Sequence, residues 1–380
     1  MPHWETGGGR VTDVVTVDEA DAIEYIYERG WTDGLPVVPP TPARVEAMLA
    51  AAGISADQVL GAVPARRRVV TAGVAAANAV MAGCKPEYFT LVVTALEAAL
   101  DPAFNLNTVA TSTGGAALCV IVSGPLAQAI GMNARHNVLG SGNRANATIG
   151  RALRLTASNA LGAKTGKLDA TSIGHPGKYT LCFAEDPPPA PWQPLRIEQG
   201  YAIDDTTVTV IATEGPRQVA NMLSEEPEDV LRSFVAQMKS ASTFIVGKGG
   251  QCVVMLGHEH ALAVRQAGWS QRRAREFLFG HSRVTPAELA AGGIRVEHGA
   301  QHDMTPDADG RLATFRSIDD IILVTAGGAG AGWSAYLPTW APKIHSRFVT
   351  RRVRPVGEAL PDCGPDGCAL PAVAAPGKRS

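Results

Sequence analysis

Long apolar stretches are missing from this chain of 380 residues. A membrane-spanning helix needs about 20 consecutive apolar residues, so we expect no membrane span. The first residues also lack the cationic and apolar regions of a secretory signal. Charge of one sign is not in excess, because 34 Lys and Arg stand against 36 Asp and Glu. Without a basic stripe, a nucleic-acid partner is not expected.

Cysteine is sparse, and the 6 residues of this type are too few for a disulfide framework. Cys84, Cys119, Cys182 and Cys252 lie in apolar stretches and are predicted to be buried thiols. This usage, in a chain without a signal pattern, predicts a cytoplasmic protein. Apolar residues make up 46% of the chain and charged residues 18%, which is typical of a compact globular enzyme.

One segment of the sequence occurs in two similar forms. The run 119–124, Cys-Val-Ile-Val-Ser-Gly, follows a Gly-Gly pair, and so does the run 252–257, Cys-Val-Val-Met-Leu-Gly. Each has the length and β-branched content of a buried strand and is flanked by helical patterns. The sequence therefore predicts an internal duplication in which Cys119 and Cys252 hold equivalent buried positions. Chance similarity is the alternative, because a chain with 40 Gly produces such matches easily.

The order of the predicted elements indicates an α/β or α+β fold, with two related α/β units packed around one cleft. Within the second unit, 217–223 is predicted to be a helix. The predicted segments are an arm at 1–17, a first unit at 18–186, a proline-rich linker at 187–200, a second unit at 201–354 and a flexible Cys-containing tail at 355–380.

Familiar nucleotide-binding fingerprints do not occur. The segment 136–151 contains glycines and a helix start, but no Gly-Lys-Thr or Gly-Lys-Ser follows, so it is not a Walker A loop. The glycine-rich segment 327–332 follows a predicted strand. Trp333, however, stands where a dinucleotide-binding fingerprint has its third glycine. No cofactor is therefore predicted.

The segment 136–151 is instead predicted to bind a small anion. Its glycines let backbone amides approach a ligand, and its arginines suit carboxylate or phosphate. An ordinary capped helix, with arginines that face solvent or pair with carboxylates, is the alternative. The N–H groups of 327–332 would form a second wall, an anion nest. The predicted substrate-binding residues are His136, Asn143, Arg144, Asn146, Arg151, Gly328 and Gly330.

Four histidines suggest a different site. His258, His260, His298 and His302 would serve a metal-dependent lyase or hydrolase, with Glu259 among the available oxygen ligands. Their spacing is poor, because the His-Glu-x-x-His pattern of zinc proteases does not occur. A metal is therefore not predicted, and hydrogen-bonded or exposed histidines are the favoured interpretation.

The remaining cysteines lie in the segment 363–368, Cys-Gly-Pro-Asp-Gly-Cys. Gly and Pro favour a tight turn that would bring the two sulfurs together. Thiols in a polar segment are reactive when they are accessible. Cys363 and Cys368 are therefore predicted to be a redox pair, and an incidental pair near the terminus is the alternative.

Several stretches carry a family resemblance. They are Asp-Gly-Leu-Pro-Val-Val-Pro-Pro-Thr at 33–41, Ala-Gly-Cys-Lys-Pro-Glu at 82–87, Asn-Arg-Ala-Asn-Ala-Thr-Ile-Gly-Arg at 143–151 and His-Pro-Gly-Lys at 175–178. With Ala184-Glu185 ahead of Pro191-Trp192, they resemble a bacterial family. Its members are associated with, or fused to, proteins that carry a selenocysteine/cysteine-Gly-Ser-Cys motif and are described as thiol-disulfide oxidoreductases.

The resemblance implies functional roles for a further set of polar residues. The chain departs from the partner motif, because 363–368 has no Gly-Ser between its cysteines, and this leaves the redox assignment open. The residues that the resemblance adds are Asp33, Lys85, Glu87, His175, Lys178 and Glu185.

Two hypotheses of function follow. The first is a cytoplasmic enzyme acting on a small anionic organic substrate, with thiol-disulfide chemistry supplied by the tail or a partner protein. His175 or Glu185 would act as general acid or base, and Lys85 or Lys178 would stabilise negative charge. The second is a non-catalytic subunit that docks a thiol-redox partner, and a homo-oligomer is compatible with either. Convergence of the polar side chains would favour the enzyme, and scatter over caps and turns the subunit.

Overall fold

Helices and strands alternate along the chain, which confirms the α/β fold class. The computed structural model describes residues 15–18, 20–240, 244–295 and 304–358, and the backbone of 5–6, 363–364 and 367–368. The helices are α1 (Ala22–Glu28), α2 (Pro42–Ala52), α3 (Ala72–Ala82), α4 (Phe89–Ala99), α5 (Leu106–Thr111), α6 (Pro125–Ala129), α7 (Arg144–Leu161), α8 (Leu195–Glu198), α9 (Pro227–Met238), α10 (His258–Gln266), α11 (Gln271–His281) and α12 (Pro286–Ala291). The strands are β1 (Glu5–Thr6), β2 (Val59–Val63), β3 (Arg68–Thr71), β4 (Ala117–Ser123), β5 (Leu181–Ala184), β6 (Thr207–Thr213), β7 (Arg217–Ala220), β8 (Cys252–Leu256), β9 (Ile321–Thr325), β10 (Trp333–Pro338), β11 (Val349–Arg352), β12 (Cys363–Gly364) and β13 (Gly367–Cys368).

Two mixed sheets of four strands form the centre of the molecule, with the orders β11-β6-β4-β5 and β7-β10-β8-β9. In the first sheet, β4 runs parallel to β5 and antiparallel to β6. In the second sheet, β8 runs parallel to β9 and antiparallel to β10. The two sheets therefore share one pattern of strand directions.

The sheets pack face to face through an apolar layer. Alternate residues of each strand face this layer, among them Cys119 and Ile121 of β4 and Val253 and Met255 of β8. The residues between them point the other way, because successive side chains of a strand alternate. Helices α4 and α7 cover the outer face of the first sheet, with α3 packed on α7, and α9, α10 and α11 cover that of the second. The layers are thus α/β/β/α.

The strands β4–β7 belong to the first half of the fold and β8–β11 to the second, and each sheet takes one edge strand from the other half. β7 follows β6 in sequence but pairs with β10, and β11 follows β10 but pairs with β6. The two crossings meet at an antiparallel bridge between Thr213 and Thr339. Beside it, the Glu214 N–H donates to the Pro338 carbonyl at 2.9 Å. Each sheet is therefore completed by a strand from the opposite half.

The shared strand pattern is what an internal duplication predicts, and the duplication itself stays a prediction. The predicted alignment of Cys119 with Cys252 is wrong by one residue. Both thiols are buried, but Cys119 faces the other sheet and Cys252 faces the helices. Val253 matches Cys119 instead, since Val253 lies opposite Leu337 as Cys119 lies opposite Ile211.

The predicted division into two sequential units is also wrong. β6 and β11 both follow the predicted linker at 187–200, yet both belong to the first sheet. The linker is packed into the fold, because Trp192 is buried and its Nε1 donates to the Trp269 carbonyl at 2.8 Å. The helix predicted at 217–223 is wrong as well, since β7 lies there and pairs with β10.

Ion pairs fasten the exchanged strand β11 to α4. Arg354 pairs with Glu97, and Arg351 pairs with Asp101. Glu97 is 7% exposed, and burial raises the pKa of its carboxyl although Arg354 opposes this. Arg352 instead pairs with Glu358 at the surface, where both side chains are more than a third exposed.

We predict that Arg354→Ala lowers the free energy of unfolding by about 3 kcal/mol, because a buried carboxylate loses its partner. The matched control is Arg352→Ala, which breaks an exposed pair and should cost less than about 1 kcal/mol. Urea unfolding of the two variants measures the difference. Equal losses would mean that the Glu97 pair does not fasten β11.

Candidate functional site

The carboxyl ends of the parallel strands of both sheets lie at one edge of the molecule. Asp186 follows β5, and Thr325 ends β9. The Asp186 N–H donates to the Thr325 carbonyl at 2.8 Å, and the Thr325 hydroxyl donates to the Asp186 carbonyl at 2.5 Å. In α/β proteins, ligands bind outside the carboxyl ends of parallel strands. This edge is therefore the first place to look for a site.

At this edge, loops of each half cross to the other. The loop 131–143 follows α6. Its Asn133 carbonyl accepts a hydrogen bond from the Ala184 N–H of β5 at 3.3 Å. The same loop accepts one from the second half, because the Gly327 N–H donates to the Ala134 carbonyl at 2.9 Å. The loop 131–143 is thus held between β5 and the segment 326–332, which we call the glycine loop.

His136 lies directly on the glycine loop. Its Nε2 is 2.9 Å from the Ala329 carbonyl, which can only accept, so Nε2 carries the proton. A Cβ atom added at Gly328 would lie 2.3 Å from Cγ of the imidazole, so only glycine leaves room for this ring. The structure thus brings together three predicted binding residues from distant parts of the sequence, His136, Gly328 and Gly330.

In the glycine loop, which is predicted to form an anion nest, a backbone N–H group binds a carboxylate of the chain itself. Glu259, in the first turn of α10, accepts a hydrogen bond from the Gly330 N–H at 2.7 Å. Partial burial opposes ionisation of Glu259, but its own N–H and those of Gly330 and Gly332 lower its pKa. Sequence reasoning considered Glu259 only as a metal ligand, because its distance from 330 in the chain hid this contact.

A buried acid lies at the same edge. Glu185 is 9% exposed, and its Oε2 accepts a hydrogen bond from the Ser123 hydroxyl at 2.5 Å. The Leu195 N–H donates to Oε1 at 2.9 Å, so Glu185 also holds the start of α8. Burial raises the pKa of Glu185 to about 7, although Ser123, Leu195 and Arg196 oppose the rise.

His175 and Lys178 lie together at the opposite edge, before β5 begins. His175 Nε2 is 3.0 Å from the Gly115 carbonyl, and Nδ1 accepts from the Gly177 N–H at 3.2 Å. Burial, followed by the charge of Lys178, lowers the pKa of His175. Since backbone groups engage both ring nitrogens, His175 fixes a turn.

Lys178 belongs to a network around the buried carboxylate of Asp169. Lys178 Nζ and Arg154 Nη2 lie 2.9 and 2.5 Å from Asp169, and the Thr171 hydroxyl lies 2.6 Å from it. Burial opposes ionisation of Asp169, but Thr171, Lys178 and Arg154 lower its pKa to about 2. The network fastens the loop before β5 to the fold.

The structure places His175 and Lys178 together but does not bring Glu185 to them. β5 separates the first two from the third, and its four residues span about 13 Å at roughly 3.3 Å each. Lys85 lies apart from both groups and pairs with Glu87 at the surface, at 3.5 Å. These residues do not converge in one pocket.

The predicted anion-binding arginines have protein partners. Arg151 makes two hydrogen bonds of 2.8 Å to the Asp33 carboxylate, and Arg144 Nε donates to the Gly83 carbonyl at 2.9 Å. Asn143 caps α7 by accepting from the Asn146 N–H. These contacts are those of a capped helix with paired arginines, the alternative considered from sequence.

Asn146 supports the crossing loop rather than a ligand. Its side chain is 4% exposed. Its amide nitrogen donates to the Asn133 carbonyl at 2.8 Å, and its oxygen accepts from the Asn133 N–H at 3.0 Å. Asn146 thus positions the loop that carries His136.

The proposed metal-binding histidines do not form a cluster in the described part of the chain. His260 is buried, with Nδ1 2.6 Å from the Ser334 hydroxyl and Nε2 2.9 Å from the Asn221 carbonyl. His298 and His302 lie outside the described residues. Among the described residues, no group of three or more His, Cys, Asp and Glu is arranged to hold a metal ion.

No family model matches the chain, and no curated protein matches it either. The family resemblance of the motifs therefore stays a prediction. Within the described segments, no helix has both the length and the apolar content to cross a bilayer.

The raised pKa of Glu185 predicts a dependence of stability on pH. Between the ordinary value of 4.5 and about 7, the folded protein holds a proton that the unfolded chain releases. The free energy of unfolding should therefore fall by roughly 3 kcal/mol as the pH rises through this window, and level off above it. Urea unfolding at a series of pH values measures this fall.

Glu185→Gln should remove that part of the dependence, because glutamine does not titrate and still accepts a hydrogen bond from the Leu195 N–H. A variant with the same slope as the unaltered protein between pH 4.5 and 7 would contradict the assignment.

Proposed function

We propose that the protein is an enzyme that acts on a small anionic organic molecule, bound where the loop 131–143 meets the glycine loop. The observation that carries this proposal is the position of His136, held on Gly328 beside a nest of backbone N–H groups. An ionisable ring and preorganised donors next to each other suit acid–base chemistry on an anion.

The hydrogen bond of His136 Nε2 indicates which ring nitrogen is available to a substrate. Because Nε2 donates its proton to the Ala329 carbonyl, the lone pair of the neutral ring is on Nδ1. Nδ1 makes no hydrogen bond to the described part of the chain, and the residue is exposed. His136 would therefore take a proton from a bound substrate through Nδ1. The Gly330 and Gly332 N–H groups would hold the anionic group while charge develops on it.

The location of the site supports the same proposal. It lies at the carboxyl ends of the parallel strands, where loops from both halves of the chain contribute. The scatter of the remaining predicted residues over caps and turns speaks for structural roles of those residues, and taken by itself it favours the non-catalytic subunit. The proposal of an enzyme therefore rests on His136 and the glycine loop, which face each other across the crossing.

Gly328→Ala tests the proposal, because its new methyl group would occupy the space of the imidazole and displace His136. We predict that stabilisation of the protein by small carboxylates and phosphate esters in thermal unfolding is lost, since a ligand of the native state raises its stability. The matched control is Gly280→Ala, at a position where an added Cβ meets nothing within 4 Å. An unchanged response of Gly328→Ala to every ligand of the panel would refute the site.

Thiol-disulfide chemistry of the tail is a second candidate function, favoured by the backbone of β12 and β13. Cys363 and Cys368 are directly opposite each other in this antiparallel pair. Opposed residues have Cα atoms about 4.5 to 5.5 Å apart, which lies in the range of disulfides. Two thiols would join as a disulfide and transfer two electrons and two protons to a disulfide of a partner, which becomes a dithiol.

We predict that Cys363 and Cys368 are alkylated before Cys84, Cys119, Cys182 and Cys252, whose thiols are buried. Mass spectrometry after brief iodoacetamide treatment measures the order, and mild oxidation should then link 363 to 368.

We also predict that removal of 359–380 abolishes turnover in any assay in which the full-length protein is active. Full turnover by the truncated protein would exclude the tail from the reaction.

A further inference from the structure

We infer that Glu259 is an internal ligand of the anion nest, and that a small carboxylate ligand binds by displacing it. This inference rests on the proposed function, because it concerns the ligand and the regulation of the same site. It commits the anionic group of the ligand to a carboxylate, the chemical group that the nest already holds.

Several backbone N–H groups converge on Glu259. The Gly330 N–H lies 2.7 Å from its Oε1, and the N–H groups of Gly332 and of Glu259 itself also favour the ionised carboxylate. The donors belong to two elements, the glycine loop and the first turn of α10. Gly257, the N-cap of α10, supplies no side-chain oxygen to these N–H groups.

The donors of the nest are fixed, whereas the side chain that accepts from them can move. Main-chain pairing holds the glycine loop, since the Gly327 N–H bonds to Ala134 and the Gly332 carbonyl accepts from the Asn221 N–H at 3.1 Å. Glu259 is partly exposed, and its flexible side chain can turn into water. The N–H groups would then remain in place for an incoming carboxylate.

Glu259 is held in the nest by backbone groups and not by an ion pair with Lys or Arg. No Lys or Arg forms an ion pair with Glu259 among the described residues, in contrast to Glu97, Asp169 and Glu288. Its recorded hydrogen bond is to the backbone amide of Gly330. A free carboxylate would make the same bond, so the exchange conserves both charge and hydrogen bonding at the nest.

The position of His136 makes the exchange relevant to the ligand. The imidazole lies on Gly328 and bonds to Ala329, next to the amide that holds Glu259. A carboxylate in the nest would therefore bring the rest of its molecule next to the ring. With Glu259 in place, the nest is closed to other anions.

With a competing internal ligand, the apparent association constant equals the intrinsic constant multiplied by the fraction of molecules in which the internal ligand has left the site. If that fraction is about a tenth, Glu259→Ala should bind acetate about tenfold more tightly than the unaltered protein. Glu259→Gln should show the same direction, because a neutral amide is a weaker acceptor than a carboxylate. Removal of a carboxylate remote from the nest should leave acetate binding unchanged.

The experiment is a titration with sodium acetate, and in parallel with inorganic phosphate, at constant ionic strength. Glycine labelled with ¹⁵N reports on the amides of Gly330 and Gly332. We expect their resonances to shift at about tenfold lower acetate concentration in Glu259→Ala and Glu259→Gln. Glu228→Ala, which removes an exposed carboxylate of α9 with the same change in charge, should titrate like the unaltered protein.

The outcomes separate the two proposals. Acetate binding that is unchanged or weaker in both Glu259 variants overturns the internal-ligand inference and leaves the site itself intact. Tighter binding of phosphate alone overturns the commitment to a carboxylate. The absence of any shift at these amides in all four proteins, with either anion, overturns the proposed function together with the inference.

Discussion

The apolar layer between the two sheets is the constraint on which the rest of the structure depends. It is built from alternate residues of both sheets, and the residues between them pack on helices. Burial of both faces removes large apolar areas from water, the dominant favourable contribution to folding. The exchange of β7 and β11 adds main-chain hydrogen bonds between the halves. The halves are thus held in one relative position.

That fixed position creates the candidate site. Both sheets present the carboxyl ends of their parallel strands at the same edge, where Asp186 and Thr325 are hydrogen-bonded. The loop 131–143 can therefore reach the glycine loop and place His136 on Gly328. Asn146 supports that loop from α7. The site is a consequence of sheet packing, and the side chains of either half alone would not form it.

Sequence patterns predicted the positions of the strands better than the contacts that strands and side chains make. The apolar run 252–257 does contain a strand, β8 at 252–256, and the fold class is confirmed. The register of the repeat was off by one residue, because strands buried on both faces show no alternation that marks the core side. The pairing of Arg151 with Asp33 joins residues far apart in the chain, so a helix start rich in arginine resembled an anion site. The glycine content of 327–332 did indicate backbone N–H donors, since such donors need no particular side chain, and the Gly330 N–H binds Glu259.

The central claim is that the crossing of the loop 131–143 with the glycine loop binds an anion. A crystal structure of the protein soaked in a small carboxylate tests it most directly. We predict a carboxylate within hydrogen-bonding distance of the Gly330 and Gly332 amides, with Glu259 turned toward solvent and the ligand next to His136. A carboxylate bound instead in the Asp169 network, with Glu259 still on Gly330, would contradict it.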